Sequence, residues 1–162
     1  PAAMAQPRPP RRSLPPAPIN VTTRVMALDY GTKRIGVAVS DEGRQLARPV
    51  RTITSGSAME AAGALAPLML EYAPGEIVVG LPLRLGGAPG THAAAAERFA
   101  AAVRKRFGVP VVMKDERLTT VEAQERLRAG GAGRRKRRDL ADAAAAAVLL
   151  QDYLDSRPRE RA

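Results

Sequence analysis

The stretch VMALDYGTKRIGVAVSD (residues 25–41) decides the fold that we predict for this chain. Its first apolar run ends in a carboxylate at Asp29, and Gly31 then begins a tight turn into a second apolar run over 34–40. Short turns between apolar runs are typical of antiparallel strands. Residues 46–54 can add a third strand, so this part of the sequence predicts an antiparallel meander of three strands.

The remaining segments alternate between helical and strand-like patterns. Apolar spacing and caps predict helices over 57–72, 91–107, 120–129 and 139–155. Short apolar runs predict strands over 76–81 and 109–114. Alternation of strands and helices implies parallel pairing, with helices on the faces of the sheet. We therefore predict an α/β fold with a mixed five-stranded sheet flanked by helices.

Length and composition fit one soluble domain. The chain has 162 residues and no cysteine, which excludes disulfides and zinc–thiolate sites. It has no apolar run of about 18 residues and no visible signal peptide, so we expect a cytoplasmic protein without a membrane span. Residues 1–22 hold half of the 14 prolines. We expect a disordered Pro/Arg-rich extension over 1–22, a domain over 23–156 and a flexible tail over 157–162.

The positive charge is concentrated in two segments without acids. The net charge is +10, and residues 1–24 and 128–138 carry four and six basic residues. A localised excess of this kind is expected for contact with a polyanion, although a solvated tail and loop are the alternative. We predict that the basic run contacts a nucleic-acid backbone through Arg134, Arg135, Lys136, Arg137 and Arg138.

Acidic residues stand at the ends of predicted elements. Asp29 ends one strand, Asp115 and Glu116 end another, and Asp142 opens the alanine-rich helix. Each acid also has a purely structural explanation. The acids at strand ends could form turns, and Asp142 could stabilise the helix from its third position, with Asp139 as the N-cap. Alternation does not decide between Asp115 and Glu116, since it says only that they face opposite sides.

Taken together, these acids match what phosphodiester hydrolysis requires. Carboxylates at the end of a buried strand are costly unless something pairs with them, and divalent cations prefer oxygen ligands. Two Mg²⁺ or Mn²⁺ ions about 3.5–4 Å apart can activate water and stabilise the leaving oxygen. The sequence therefore predicts metal-dependent phosphate chemistry.

Four motifs resemble the YqgF/RuvX proteins of bacteria, which belong to the RNase H-like superfamily. The motifs are LDYGTKRIGVAVSD, IVVGLPL, DERLTT and the closing DAAAAAVLLQDYL, and the resemblance covers about residues 24–155. It implies an RNase H-like fold and a metal-dependent nuclease that matures the 5′ end of pre-16S ribosomal RNA. A Holliday junction resolvase is the alternative within the family.

The resemblance also implies which residues act. By motif, Asp29, Glu116 and Asp142 are the catalytic and metal-binding residues, and Glu116 is selected over Asp115. The chain departs from the family pattern at Arg84, where Asn is usual, and at Gly86, where Asp is usual. An arginine there could bind phosphate directly.

Further cations next to the acids are candidates for nucleic-acid contact. Lys33 and Arg34 lie in the first hairpin, and Arg117 adjoins Glu116. The expected partners are pre-16S rRNA or branched DNA, together with a ribosomal particle. Resolving a four-way junction needs two sites related by a two-fold axis, hence a homodimer.

Two other classes of protein remain open at this point. Asp29-x-Gly31 between two strands resembles the first phosphate loop of actin-like and sugar-kinase ATP-binding proteins, which need two such domains. A nucleic-acid-binding module without catalysis is the second alternative. His92 is the only histidine and no serine or cysteine motif accompanies it, which argues against a hydrolase triad.

Overall fold

The computed structural model describes residues 23–31, 33–54, 56–81, 91–115 and 134–156, without the side chains of 81, 91, 92, 115 and 134–138. Several predictions lie outside these residues. They concern the terminal segments 1–22 and 157–162, the helix over 120–129, and Arg84, Glu116 and Arg117.

A mixed five-stranded sheet forms the centre of the molecule, as predicted. The strands are β1 (Val25–Tyr30), β2 (Arg34–Ser40), β3 (Ala47–Thr54), β4 (Glu76–Leu81) and β5 (Val111–Asp115). Their spatial order is β3-β2-β1-β4-β5, so β3 and β5 are the edges of the sheet. Strands β1, β2 and β3 pair antiparallel, whereas β4 pairs parallel with both β1 and β5. The carboxyl ends of β1, β4 and β5 therefore lie together at one end of the sheet.

Helices cover both faces of this sheet. They are α1 (Ala58–Ala64), α2 (Ala66–Tyr72), α3 (Thr91–Phe107) and α4 (Arg134–Ser156). Met26 and Leu28 of β1 belong to the core on the side of α1, α2 and α3, where Phe99 is fully buried. Val25 and Ala27 belong to a second core with α4. Because side chains alternate along a strand, Asp29 follows Ala27 onto the α4 face.

The segment over 57–72 is helical, as predicted, but it is divided in two. The structure has two short helices, α1 and α2, which meet at Leu65. Pro67 stands at the start of α2 and has no N–H to continue the hydrogen bonds of α1. Leu65 N donates instead to Ala62 O, three residues back, which is the tighter bond typical of a helix end.

The prediction that the last helix begins at 139 was wrong. Helix α4 begins at Arg134, so the basic run forms its first turns. Asp139 is therefore inside the helix and is not its N-cap, and Asp142 is neither at its start nor at its third position. Arginine and lysine are good helix formers, so the basic run extends the helix at its N-terminus in place of a solvated loop.

The turn between β2 and β3 depends on Asp41. Its Oδ1 accepts hydrogen bonds from Gln45 N at 2.8 Å and Leu46 N at 3.0 Å. These bonds, that from Leu46 first, lower the pKa of the Asp41 carboxyl below its usual value.

Replacing Asp41 with alanine is expected to lower the free energy of unfolding by about 1 kcal/mol at neutral pH, because two backbone donors lose their acceptor. A lowered pKa contributes stability that is present above the unfolded-state pKa and is lost as the pH falls through the folded-state pKa. The difference between the two proteins should therefore shrink below about pH 4. Urea denaturation at several pH values measures it, and a difference that is constant with pH would contradict the role of the carboxylate.

Candidate active site

Asp29 lies in a row of paired residues that runs across the sheet, and we call this row open because both neighbours of Asp29 in it are glycines. In register Asp29 faces Gly36 on β2 and Gly80 on β4. Neither of these glycines has a side chain, so no directly paired residue of the described strands covers the carboxylate from the side. The side chain of Asp29 is half-buried on the α4 face. A strand-end acid between two glycines leaves room for a ligand beside the carboxylate.

Gly36 also allows α4 to come into contact with the sheet. A Cβ built on Gly36 would lie 1.8 Å from the backbone oxygen of Asp142, a distance that real atoms cannot adopt. Only glycine therefore permits the observed approach of helix and strand. Since Gly36 pairs with Asp29, this contact places the turn of α4 that carries Asp142 over the row of Asp29.

Further contacts along α4 fix its position on the sheet. Thr52 of β3 donates to the backbone oxygen of Asp139 at 2.6 Å. Near the other end, the Tyr153 hydroxyl donates to Glu76 at the start of β4, and Arg44 pairs with the same carboxylate at 3.2 Å. The helix is thus attached on both sides of the segment that presents Asp142.

Asp142 forms an ion pair with Arg34, the first residue of β2. Arg34 Nε donates to Asp142 Oδ2 at 2.7 Å, and the two side chains are 39% and 27% exposed. Burial raises the pKa of the Asp142 carboxyl above its usual value, whereas the hydrogen bond and charge of Arg34 oppose this shift. The charges of Asp29 and Asp139 raise the pKa of Asp142 further.

The structure thus brings together two of the three acids that the sequence singled out. Asp142 lies over the row of Asp29, and the charge of Asp29 contributes to the raised pKa of Asp142, as expected for neighbouring carboxylates. Strand β5 ends at Asp115, at the same end of the sheet and opposite Leu81 of β4. Glu116 lies outside the described residues, and its place in the site stays a prediction.

The donor set fits a hard divalent cation. A cation stabilises two neighbouring carboxylates that are half-buried, and carboxylate oxygens are the ligands that Mg²⁺ and Mn²⁺ prefer. Within the described ranges, no group of three or more His, Cys, Asp or Glu side chains could hold a metal ion. A metal ion on Asp29 and Asp142 would therefore take its other ligands from substrate, water or residues outside the described ranges.

Lys114 is a cation near the site that the sequence did not single out. It stands opposite Gly80 in register, so it shares the row of Asp29 on the α4 face. Its Nζ lies 2.7 Å from the exposed carboxylate of Asp152 and 5.8 Å from the ring centre of Tyr153. The alternation of β5 contained this signal, since it puts Lys114 on the face opposite to Met113, which packs against the first core.

Three of the predicted nucleic-acid contacts fall within the described residues at least in part: Lys33, Arg34 and the basic run. Lys33 is exposed beside the site, and Arg34 faces Asp142. The backbone of the basic run is helical and directly precedes the turn of α4 that carries Asp142, while its side chains lie outside the description. Across the described part of the chain, no helix has the length and apolar character needed to cross a membrane.

Comparison with solved structures defines the class of fold. RuvC of Thermus thermophilus in complex with a Holliday junction substrate is 19% identical, with a TM-score of 0.50, over 82% of this chain and 96% of that chain. The fowlpox virus Holliday junction resolvase is 13% identical, with a TM-score of 0.51, over 83% of this chain and 99% of that chain. The chain therefore has a RuvC-like fold of the RNase H type, as predicted. Nucleases with this fold generally depend on divalent metal ions.

The family follows from sequence comparison. The model of the family described as "RuvX: Holliday junction resolvase" matches residues 23–156, and the chain belongs to this family. A protein of Geobacillus thermodenitrificans named "Putative pre-16S rRNA nuclease" is 46% identical over 136 residues, 83% of this chain and 99% of the relative. A protein of the same name from Syntrophus aciditrophicus is 42% identical over 138 residues, 85% of this chain and 92% of the relative. The predictions of the family and of a nuclease are confirmed.

Proposed function

We propose that this chain is a divalent-metal-dependent endonuclease that processes the 5′ end of pre-16S rRNA. The observation that carries the proposal is the contact at Gly36, which puts Asp142 of α4 over the row of Asp29. The names of the curated relatives support the choice of RNA as substrate.

Asp29 and Asp142 would hold the metal ions, with Glu116 as the third carboxylate. When bound, two Mg²⁺ or Mn²⁺ ions supply activation of a water molecule and stabilisation of the leaving oxygen. The protein contributes the fixed distance between the two acids, since β1, β2 and α4 are packed against one another around Gly36. Before a metal ion binds, Arg34 holds Asp142 by one oxygen and so limits the orientations of the carboxylate.

Cations around these acids would bind the nucleic-acid backbone. We assign this role to an exposed turn residue, to the arginine on Asp142, to two arginines outside the described residues and to the basic run. These residues are Lys33, Arg34, Arg84, Arg117, Arg134, Arg135, Lys136, Arg137 and Arg138. Contacts of this kind fix position on the backbone without reading sequence.

The basic run gives a prediction about salt. Changing Arg134, Arg135 and Lys136 together to glutamine is expected to reduce the slope of log K against log salt concentration by about 2 to 3, since each phosphate contact contributes about 0.7 to 0.9. The slope is measured by fluorescence anisotropy with a labelled RNA stem, at salt concentrations from about 50 to about 300 mM. An unchanged slope would remove these residues from the interface.

A second function is Holliday junction resolution. The family description and the likeness in fold to RuvC favour it. Both reactions would use the same acids, but resolution needs two sites and hence a homodimer.

The rRNA proposal includes a ribosomal particle as the partner and the cytoplasm as the location. In this proposal residues 23–156 form the nuclease domain, between a Pro/Arg-rich extension over 1–22 and a tail over 157–162.

The experiment that separates the two functions compares substrates side by side. End-labelled pre-16S RNA and a four-way DNA junction are incubated with the full chain and Mg²⁺ or Mn²⁺, with EDTA as the blank. Metal-dependent cuts near the 5′ end of the RNA alone support rRNA processing. Symmetric cuts in the junction support the resolvase, and cleavage of neither, with or without ribosomal particles, contradicts both.

A further inference from the structure

We propose that Arg34 exchanges partners as the site fills: it pairs with Asp142 before a divalent cation binds, and with a nucleic-acid phosphate afterwards. Arg34 would thereby couple cation binding to nucleic-acid binding. The inference rests on the proposed function and adds a means by which the two ligands of that site help one another to bind.

The first argument is the position of the ion pair. Arg34 is two residues before Gly36 on β2 and so shares its face, the face covered by α4. Both members of the pair remain partly exposed, at 39% for Arg34 and 27% for Asp142. An ion pair that water can reach is weak and exchanges partners at low cost, unlike a buried pair. The pair therefore stands within reach of ligands that enter beside Asp29.

The second argument is charge. Asp142 lies over the row of Asp29, so two carboxylates stand close together, and the guanidinium of Arg34 balances part of this negative charge. A divalent cation on the same carboxylates repels the guanidinium at close range and competes with it for Asp142 Oδ2. The two positive groups thus compete for one carboxylate, and the stronger charge displaces the weaker one.

The third argument is what a displaced guanidinium does. Arginine is never deprotonated and its planar fork matches the oxygens of a phosphate, so it makes bidentate bonds that lysine cannot copy. Arg34 begins β2 directly after the exposed turn residue Lys33, at the end of the sheet where β1 carries Asp29. A phosphate held beside Asp29 for hydrolysis would lie next to the released side chain.

Such an exchange has a thermodynamic signature. If cation binding releases Arg34 for the nucleic acid, each ligand raises the affinity of the other by the same factor. Removing Arg34 should have two opposite effects. The cation alone should bind more tightly, because its competitor is gone, and the coupling between the two ligands should fall.

The test uses the full chain as wild type, Arg34→Gln, Arg34→Lys and the control Arg51→Gln. Arg51 carries the same charge and is exposed, but lies on the opposite face of the sheet, since its neighbour Thr52 faces α4. Calorimetric titration gives the affinity for Mn²⁺ without nucleic acid. Stopped-flow anisotropy, read before cleavage, gives the affinity for a labelled RNA stem in Mn²⁺ and in EDTA, and thermal melting checks the fold.

We expect Arg34→Gln to bind Mn²⁺ about fivefold more tightly than wild type, and Mn²⁺ to raise RNA affinity by about fivefold or more in wild type but less than about twofold in Arg34→Gln. Arg34→Lys should compete with Mn²⁺ as wild type does and keep only part of the coupling. Arg51→Gln should match wild type in Mn²⁺ affinity and in the coupling factor.

Equal or weaker Mn²⁺ binding by Arg34→Gln would overturn the inference, as would a coupling factor equal to that of wild type. If Arg34→Gln fails to fold, Arg34→Lys decides, and undiminished coupling in that variant counts against the role of the guanidinium fork. A wild type that binds Mn²⁺ and RNA without coupling refutes the inference and leaves the proposed function intact. A wild type that binds no Mn²⁺ overturns both.

Discussion

Changing Asp29 to asparagine is expected to reduce the rate of cleavage by about 10³-fold or more, whichever nucleic acid proves to be the substrate. Asparagine keeps the size of the side chain but removes one negative charge from the pair that Asp29 forms with Asp142. Loss of that charge weakens cation binding directly. Single-turnover cleavage of end-labelled substrate at saturating enzyme measures the effect, and calorimetric titration with Mn²⁺ shows whether cation affinity falls with it.

The melting temperature of Asp29→Asn should stay close to that of wild type, because Asp29 is half-buried and faces the open row between Gly36 and Gly80. Asp155→Asn is the matched control, since Asp155 is an exposed carboxylate near the end of α4 and the substitution changes the same charge. It should cleave as wild type does. An Asp29→Asn protein that retains more than about a tenth of the activity would show that this carboxylate is not a metal ligand.

The largest loss of stability is expected from Gly36→Ala. The added methyl group would overlap the backbone oxygen of Asp142, so β2 and α4 have to separate. Overpacking of this kind costs about 3 kcal/mol, and the separation also moves Asp142 away from Asp29, so cleavage should fall together with stability. Urea denaturation followed by circular dichroism gives the free energy of unfolding, and cleavage is measured well below the melting temperature.

Gly43→Ala provides the control for this substitution. Gly43 lies in the exposed turn after β2, and a Cβ there would meet Asp41 Oδ2 at 3.5 Å, an ordinary contact. Its effect should stay within about 0.5 kcal/mol. If Gly36→Ala unfolds at the same urea concentration as Gly43→Ala, the close contact between β2 and α4 cannot be what places Asp142.

The strands were predictable because apolar runs and turns are local signals. The antiparallel pairing of the first three strands and the parallel pairing of the later ones also followed from local patterns, whereas the place of β4 between β1 and β5 was not predicted. The break near Pro67 had a signal too, because proline is tolerated in the first turn of a helix but interrupts the interior of one. The start of α4 at Arg134 was missed although arginine and lysine are good helix formers, because Asp139 fitted the pattern of an N-cap.

The site was predictable residue by residue but not as an arrangement. The sequence singled out Asp29 and Asp142, whereas their proximity depends on a helix–strand distance set by Gly36. A glycine within a strand can signal the close approach of another backbone, so Gly36 carried part of this information. The pair of Arg34 with Asp142 joins residues 108 positions apart, and no local pattern contains it.

The exposed edge of the sheet has a consequence for self-association. Strand β3 is an edge, and its middle carries Arg48, Pro49 and Arg51. Proline has no N–H to offer an incoming strand, and like charges on two copies repel one another when their edges approach. Edge-to-edge polymerisation into longer sheets is thus disfavoured along β3. A dimer of the resolvase type would have to be built on another surface.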